Sequence, residues 1–202
     1  NSDSTLRWTF TRGGTNNVIN YSTSIEGDGN WHHIALSWST NDLKGYLDGT
    51  EVATGTMSGT FTGTIDTVHI GRYTESSTSY WLGNIDEVAL WDTALSATAI
   101  SSIRNLGNPT DLLSNVGSYS STSSLIGWWR MGDDATYPTI PDASTNSNSG
   151  TMTNMASGDI VTDVSSVEPS TTLNIGGIII TERITSVPIE DIGETLLSIN
   201  DR

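Results

Sequence analysis

Apolar and polar residues alternate along much of the first half of the chain. Leu6, Trp8 and Phe10 alternate with polar residues, and residues 34–38 repeat the pattern. Because successive side chains of a strand point to opposite faces of a sheet, a period of two predicts half-buried β-strands. Further strands are predicted at Val68–Gly71 and Ile85–Trp91. Strands spaced by roughly 10–15 residues predict an antiparallel sandwich.

Two tight turns divide these runs. The glycine pair at residues 13–14 predicts a hairpin over residues 5–21. Asp48-Gly49 lies between the runs 44–47 and 51–54. Aspartate followed by glycine supplies the two positive φ angles of a type I′ turn, so a second hairpin is predicted here.

One short helix interrupts the strands. Ser96 is a favourable N-cap, and Ile100 and Ile103 have helical spacing within Ala97–Leu106. Gly107 stops the helix. The pattern therefore predicts a single helix that ends at Leu106.

The second half of the chain is more polar. An apolar patch with two tryptophans occupies Leu125–Met131, and a polar loop leads from it to a short segment around Thr151–Met155. The run Glu168–Thr172 has the composition of a linker, and Leu173–Thr181 follows it. The Ile178–Ile180 run within that segment is strongly β-prone and needs a pairing partner.

Composition narrows the range of partners. Eight basic and 23 acidic residues give a formal net charge of −15, which repels phosphate backbones and argues against nucleic acid. Acidic surfaces suit hard cations such as Ca²⁺. The chain has no cysteine, and no apolar run approaches the ~20 residues of a membrane helix, so membrane insertion is not expected. Because the chain begins with Asn1, we interpret it as a fragment or a processed product.

Four segments, in order and with similar spacing, resemble the laminin-G-like (concanavalin-A-like) superfamily, especially its pentraxin-related branch. They are Trp31-His32-His33-Ile34-Ala35, Tyr46-Leu47-Asp48-Gly49, His69-Ile70-Gly71-Arg72, and Gly83-Asn84-Ile85-Asp86-Glu87-Val88-Ala89-Leu90-Trp91 followed by Ala94-Leu95-Ser96. The resemblance implies an all-β, antiparallel jelly-roll sandwich, to which the chain's own patterns add one short helix and a C-terminal arm.

The segments after residue 125 look like the opening strands of that family, yet here they follow the main part. They are Leu125–Met131, Pro141–Ser144 and Gly150–Met152. Either a second domain is cut short, or the sandwich is circularly permuted and residues 125–165 fill the place of the missing start. We favour permutation, because some 40 residues alone bury too little apolar surface to fold.

These considerations predict the domain limits. Residues 1–165 form the sandwich, with 1–106 as its main part and 125–165 as completing strands. Residues 166–202 form a linker and a C-terminal assembly arm. The β-prone edge of the arm is expected to add a strand to another subunit.

The resemblance includes glucanases, which place two carboxylates about 5–5.5 Å apart on one side of a strand. Alternation from Asp86 reaches Asn84 and Val88, and Glu87 points to the other face. His32 and His33 face opposite sides of one strand. The sequence therefore predicts a protein that is not an enzyme, and glycoside hydrolysis is the remote alternative.

Two ligand sites are predicted. Asp142, Asn146 and Asn148 alternate in one loop, and Asp86 matches a position that is often acidic in the family. Side-chain oxygens of this kind bind Ca²⁺, although Asp and Asn also simply favour turns.

Carbohydrate binding is predicted at the loop that carries Tyr73, Glu75 and Tyr80, because an aromatic platform lies beside polar groups. The alternative is an ordinary surface loop. Each tryptophan is predicted to lie in the core.

Two classes of function follow from the resemblance. One is a carbohydrate-binding or adhesion module that recognises cell-surface glycans. The other is a purely structural knob, in a homo-oligomer or a larger particle. The residue composition of Gly127–Gly132 and of the Ser-, Thr- and Asn-rich loop to Gly150 is similar to that of virion-associated and tail-fibre proteins of phages. The expected location is extracellular or on a virion surface.

Overall fold

Antiparallel strands dominate the computed structural model, which describes residues 4–12, 14–58, 67–72, 80–162 and 178–183. The described residues form ten strands and one α-helix, α1 (Ala97–Arg104). The predicted antiparallel β fold with one short helix is confirmed. The strands in chain order are β1 (Ser4–Arg12), β2 (Thr15–Thr23), β3 (Trp31–Ser39), β4 (Asp42–Leu47), β5 (Thr50–Gly55), β6 (Asn84–Trp91), β7 (Leu125–Trp129), β8 (Thr139–Ile140), β9 (Gly150–Thr151) and β10 (Ile178–Arg183).

Both predicted hairpins are present. Strands β1 and β2 pair over their whole length, from Ser4 opposite Thr23 to Arg12 opposite Thr15. In the β4–β5 turn, Asp48 has φ 50° and Gly49 has φ 77°. Two consecutive positive φ angles are those of a type I′ turn, whose twist matches the flanking strands.

A six-stranded sheet lies at the centre of the fold, in the order β5-β4-β3-β10-β6-β7. Side chains of β3, β4, β6 and β7 divide between two separate core clusters, which we call the front face and the back face. Strand β3 is therefore buried at every position from Trp31 to Ser37, rather than half-buried as its alternation predicts. The reason is that each face of the sheet has its own covering layer.

The β1–β2 hairpin covers part of the front face. Its core residues Trp8, Phe10 and Ile19 cluster with side chains of the central sheet. A Cβ at Gly45 would lie 2.9 Å from ring carbons of Trp8, so glycine is required where the hairpin meets β4. The central-sheet residues of this cluster are Ile34, Leu36, Leu43, Val88, Leu90 and Trp129.

Helix α1 and the chain that follows it cover the back face. Ile100 and Ile103 of α1 cluster there with Trp91, whose Nε1 donates to the hydroxyl of Tyr119 at 3.0 Å. Within the described ranges, no helix is long and apolar enough to cross a bilayer.

Helix α1 begins at the predicted N-cap but ends earlier in the chain than predicted. The Ala99 N–H donates to the Ser96 hydroxyl at 3.1 Å, which is N-capping. The helix ends at Arg104 instead of Leu106, because Asn105 takes a left-handed conformation with φ 44°.

The strand predicted at Val68–Gly71 is wrong. Residues 67–72 contain only an isolated bridge between Arg72 and Tyr80. Gly71 has φ 78°, and this conformation interrupts the extended backbone that a strand needs.

Two strands after residue 124, β7 and β10, join the central sheet, whereas β8 and β9 pair with each other in a separate two-stranded sheet. Strand β7 pairs with β6, and β10 pairs with β3 on one side and β6 on the other. The segment Ile178–Arg183 therefore pairs within its own chain, whereas the sequence alone assigns it to an arm that reaches another subunit. The domain limits at residues 106, 125 and 165 stay predictions.

The carboxylates of two aspartates contact the two ring nitrogens of His32, near the start of β3. Its Nε2 lies 2.8 Å from Asp28 Oδ2, and its Nδ1 lies 2.9 Å from Asp48 Oδ2. Burial lowers the pKa of His32, but the hydrogen bonds and charges of Asp48 and Asp28 outweigh burial, so the pKa is raised. Two carboxylate partners favour an imidazolium that donates from both ring nitrogens.

Replacing His32 with asparagine is expected to destabilise the fold by about 1–2 kcal/mol near pH 6. A raised pKa in the folded state stabilises the protein below the unfolded pKa of about 6.5, and this contribution is lost as the pH rises through the folded pKa. Urea unfolding of both proteins should therefore give a smaller difference near pH 9. His69→Asn is the matched control. An equal loss of stability at both pH values would contradict a charged His32 bound by Asp28 and Asp48.

Candidate functional site

A cleft of about 1610 Å³ opens on the front face of the central sheet. Its walls come from the ends of β3 and β6, from residues 67–72 and 80–83, and from the segment 131–161. A volume above 1,000 Å³ exceeds that of a typical small-molecule pocket. The cleft thus has room for a ligand larger than a typical small molecule.

Aromatic side chains line this cleft. Trp38 is half-buried, and its ring centroid lies 4.6 Å from that of Phe10. Trp81 is half-buried as well, and Tyr80 is 50% exposed at the rim. Trp129 is buried and donates from Nε1 to the carbonyl of Asn148 at 2.8 Å. Rings of this kind offer broad apolar faces with polar edges.

Trp38 and Trp81 are the site residues that sequence reasoning missed. The prediction that all tryptophans lie in the core holds for the five that are buried, which are Trp8, Trp31, Trp91, Trp128 and Trp129. Trp38 and Trp81 instead contribute to the cleft wall. Trp38 is the last apolar residue of β3, and polar residues follow it. This position at the end of the strand was the signal in the sequence that its side chain lies at the edge of the core.

A β-bulge in β6 shapes the cleft wall beside these rings. Opposite β10, the register shifts between Ala89 and Ile85, so that β6 carries one extra residue. Glu87 lies within this stretch and has φ 51°, which is strained for a residue with a Cβ. Bulges re-aim neighbouring side chains and are common beside functional sites.

The bulge places Asp86 in the cleft wall. Burial and the nearby charge of Glu87 raise the pKa of Asp86 to about 7, although its Oδ1 accepts the Glu87 N–H at 2.8 Å. A carboxyl group with this pKa is partly protonated at neutral pH. It can therefore both donate to and accept from a ligand.

Glu87 lies on the other side of the sheet. Its carboxylate accepts Trp128 Nε1 at 2.7 Å and Arg130 Nε at 3.1 Å, and Arg130 also pairs with Asp133. Burial raises the pKa of Glu87, and the bonds from Trp128 and Arg130 oppose that rise. Asp86 and Glu87 thus do not form the same-side carboxylate pair of a retaining glycosidase.

Of the residues predicted to bind carbohydrate, Tyr73 and Glu75 lie outside the described residues. Tyr80 is at the cleft rim, where Arg72 Cζ lies 6.0 Å from its ring centroid. The Arg72–Tyr80 bridge and the bond from Trp81 N–H to Gly71 O, at 2.8 Å, fix the base of this loop.

The predicted calcium loop is held to β7 by its own hydrogen bonds. Asp142 Oδ1 accepts the N–H groups of Trp128 and Ser144, and Oδ2 accepts the Ser144 hydroxyl and the Asn148 N–H, each at 2.8 Å. These four bonds use all four acceptor sites of the carboxylate.

The two amides of this loop also contact the strand. Asn146 Nδ2 donates to Leu125 O at 2.7 Å, and Asn148 Nδ2 donates to Ile126 O at 2.9 Å. Among the described residues, no group of three or more His, Cys, Asp or Glu side chains is arranged to hold a metal ion. The loop is explained without a cation, and calcium binding by Asp86, Asp142, Asn146 and Asn148 stays a prediction.

Comparison with known proteins bears on the first half of the chain. Residues 1–101 match a laminin-G-type family model, whose description is the concanavalin A-like lectin/glucanases superfamily. Comparison with curated proteins and with solved structures finds no match. The matched region spans half of the 202-residue chain and contains β1 to β6, which form the hairpin and four strands of the central sheet. The chain therefore belongs to the concanavalin A-like lectin/glucanase superfamily.

Proposed function

We propose that this chain is a non-catalytic surface module that binds carbohydrate in the front-face cleft. The observation that carries the proposal is the aromatic wall formed by Trp38, Tyr80 and Trp81 beside the carboxyl group of Asp86. Sugar rings present C–H faces that pack on aromatic rings and hydroxyl groups that need donors and acceptors. Family membership supports the same class of ligand, since the superfamily includes lectins.

Charge supports a neutral saccharide over a polyanion. The net charge is −15, and Asp86, Asp92 and Asp159 all line the cleft. An acidic site repels sulfated or uronate-rich chains at low ionic strength. The proposed location, extracellular or on a virion surface, is where such a module meets cell-surface glycans.

Two tyrosines of equal exposure provide a direct test. Tyr80 is 50% exposed at the cleft rim, and Tyr137 is 48% exposed but does not line the cleft. After a glycan array identifies a neutral oligosaccharide, Tyr80→Ala is expected to weaken binding about tenfold in calorimetry, because about 1.4 kcal/mol of ring contact is lost. Tyr137→Ala should bind like the unchanged protein.

Several outcomes would contradict the proposal. A blank array, or equal losses in both tyrosine variants, would show that the cleft is not a carbohydrate site. Release of reducing ends from the bound oligosaccharide would show an enzyme. Repeating the titration with Ca²⁺ and with a chelator tests the cation, because equal affinities would contradict the calcium prediction.

A structural role in an assembly is the second candidate. The observation that favours it is that β10 pairs between β3 and β6 after a connection of linker-like composition, so the same pairing can form between two copies of the chain. If the glycan array showed no binding, the structural role in an assembly would be the function that remains.

A further inference from the structure

Strand β10 joins two parts of the central sheet. On one side β5, β4 and β3 are hydrogen-bonded in sequence, and on the other side β6 pairs with β7. In the described part of the chain, β10 is the only strand that pairs with both β3 and β6. We call the place between β3 and β6 the slot.

The backbone register of β10 is matched on both sides of the slot. Ile179 lies opposite Ala35 on β3 and opposite Ala89 on β6. Both alanines are 0% exposed. The slot therefore lies in the buried middle of the sheet, and both of its edges pair with this one segment of the chain.

An empty slot would expose two open strand edges. Strand β3 would keep only β4, and β6 would keep only β7, among the described pairings. Unpaired edges in the middle of an apolar sheet bind any strand that fits them. Every copy of the chain carries both the same slot and the same β10.

We infer that the slot also accepts β10 of a second copy, so that copies of this chain assemble by exchanging this strand. The connection from Thr162 to Ile178 contains Pro169 and several Ser and Thr residues, a linker-like composition. Its about 15 residues reach about 50 Å at full extension, which is enough to enter a neighbouring molecule. Identical contacts form within one chain and between chains, so chain concentration decides between them. Carbohydrate binding is not needed for this assembly.

The absence of cysteine allows a direct test in the full chain. Opposed residues of an antiparallel pair have Cα atoms 4.5–5.5 Å apart, which suits a disulfide. We would mix Ala35→Cys and Ile179→Cys chains, unfold and refold them together at increasing concentration, oxidise them, and run a non-reducing gel. The expected result is a covalent heterodimer whose fraction grows with concentration.

Two further samples complete the test. The double variant with Ala35→Cys and Ile179→Cys should give both internally cross-linked monomers and covalent oligomers. Mixing Ala35→Cys with Ile180→Cys should give no heterodimer, because neighbouring side chains of a strand point to opposite faces. Internal cross-linking without any heterodimer at high concentration would overturn the exchange. A double variant that forms no disulfide would overturn the register itself.

Discussion

Replacing Ile179 with proline is expected to destabilise the protein by about 3 kcal/mol or more, since a central strand loses a ladder hydrogen bond and a buried partner is left unsatisfied. Ile179 lies in the middle of β10, opposite Ala35 on one side and Ala89 on the other. Proline has no N–H to donate to either neighbour. The result would appear in urea unfolding as a lower midpoint and in gel filtration as loss of the compact monomer.

Ile179→Val is the matched control for this substitution. Valine keeps the N–H and the branched side chain, so at most about 1.5 kcal/mol should be lost. If the proline variant were as stable as the valine variant, β10 would not hold the sheet together. The exchange proposed above would then fail with it.

Replacing Asp86 with asparagine is expected to stabilise the protein by about 3 kcal/mol near pH 8 and to change little near pH 4. The pKa of Asp86 rises from 3.8 to about 7, mainly because the group is buried and also because Glu87 and Asp133 carry negative charge. Between about pH 4 and pH 7 the folded protein therefore holds a proton that the unfolded chain releases. Stability is greatest at the acidic end of this window and is lost as the pH rises through the folded pKa.

Asparagine removes this pH dependence while keeping the shape of the side chain. Its amide oxygen still accepts the Glu87 N–H, which donates to Asp86 in the unchanged protein. Thermal unfolding from about pH 4 to pH 8 would measure the difference. Asp92→Asn, one residue beyond the same strand, is the matched control for the loss of one carboxylate. Parallel curves for the unchanged protein and Asp86→Asn would contradict a buried, titrating carboxyl group.

Local chemistry explains which elements the sequence predicts correctly. Asp48-Gly49 takes the positive φ angles that its residue types favour. Ser96 caps the helix with its own hydroxyl. These features depend on a few neighbouring residues, so the pattern of the chain is sufficient to locate them.

The features that sequence reasoning missed depend on distant parts of the chain. Burial of β3 on both faces follows from a hairpin on one side and α1 on the other, and alternation within β3 contains no information about either. The bulge at Glu87 is a mismatch in length between β6 and β10, so it exists only once those strands pair.

The candidate site was predictable only in part. Tyr80 was predicted as a carbohydrate-binding residue and Asp86 as a calcium ligand, and both line the cleft. The loop of Asp142, Asn146 and Asn148 has the residue types of a cation site, yet its hydrogen bonds go to the backbone of β7 and to the loop itself. Residue type alone does not show which partner a polar group will find.

The position of β10 also determines when the molecule can be completed during synthesis. Its partners β3 and β6 leave the ribosome long before Ile178–Arg183, because many residues separate them in the chain. Contacts between such distant segments form slowly, and a nascent chain presents open strand edges until they do. A chain shortened before residue 178 would keep both edges unpaired, so we expect it to aggregate more readily than the full chain.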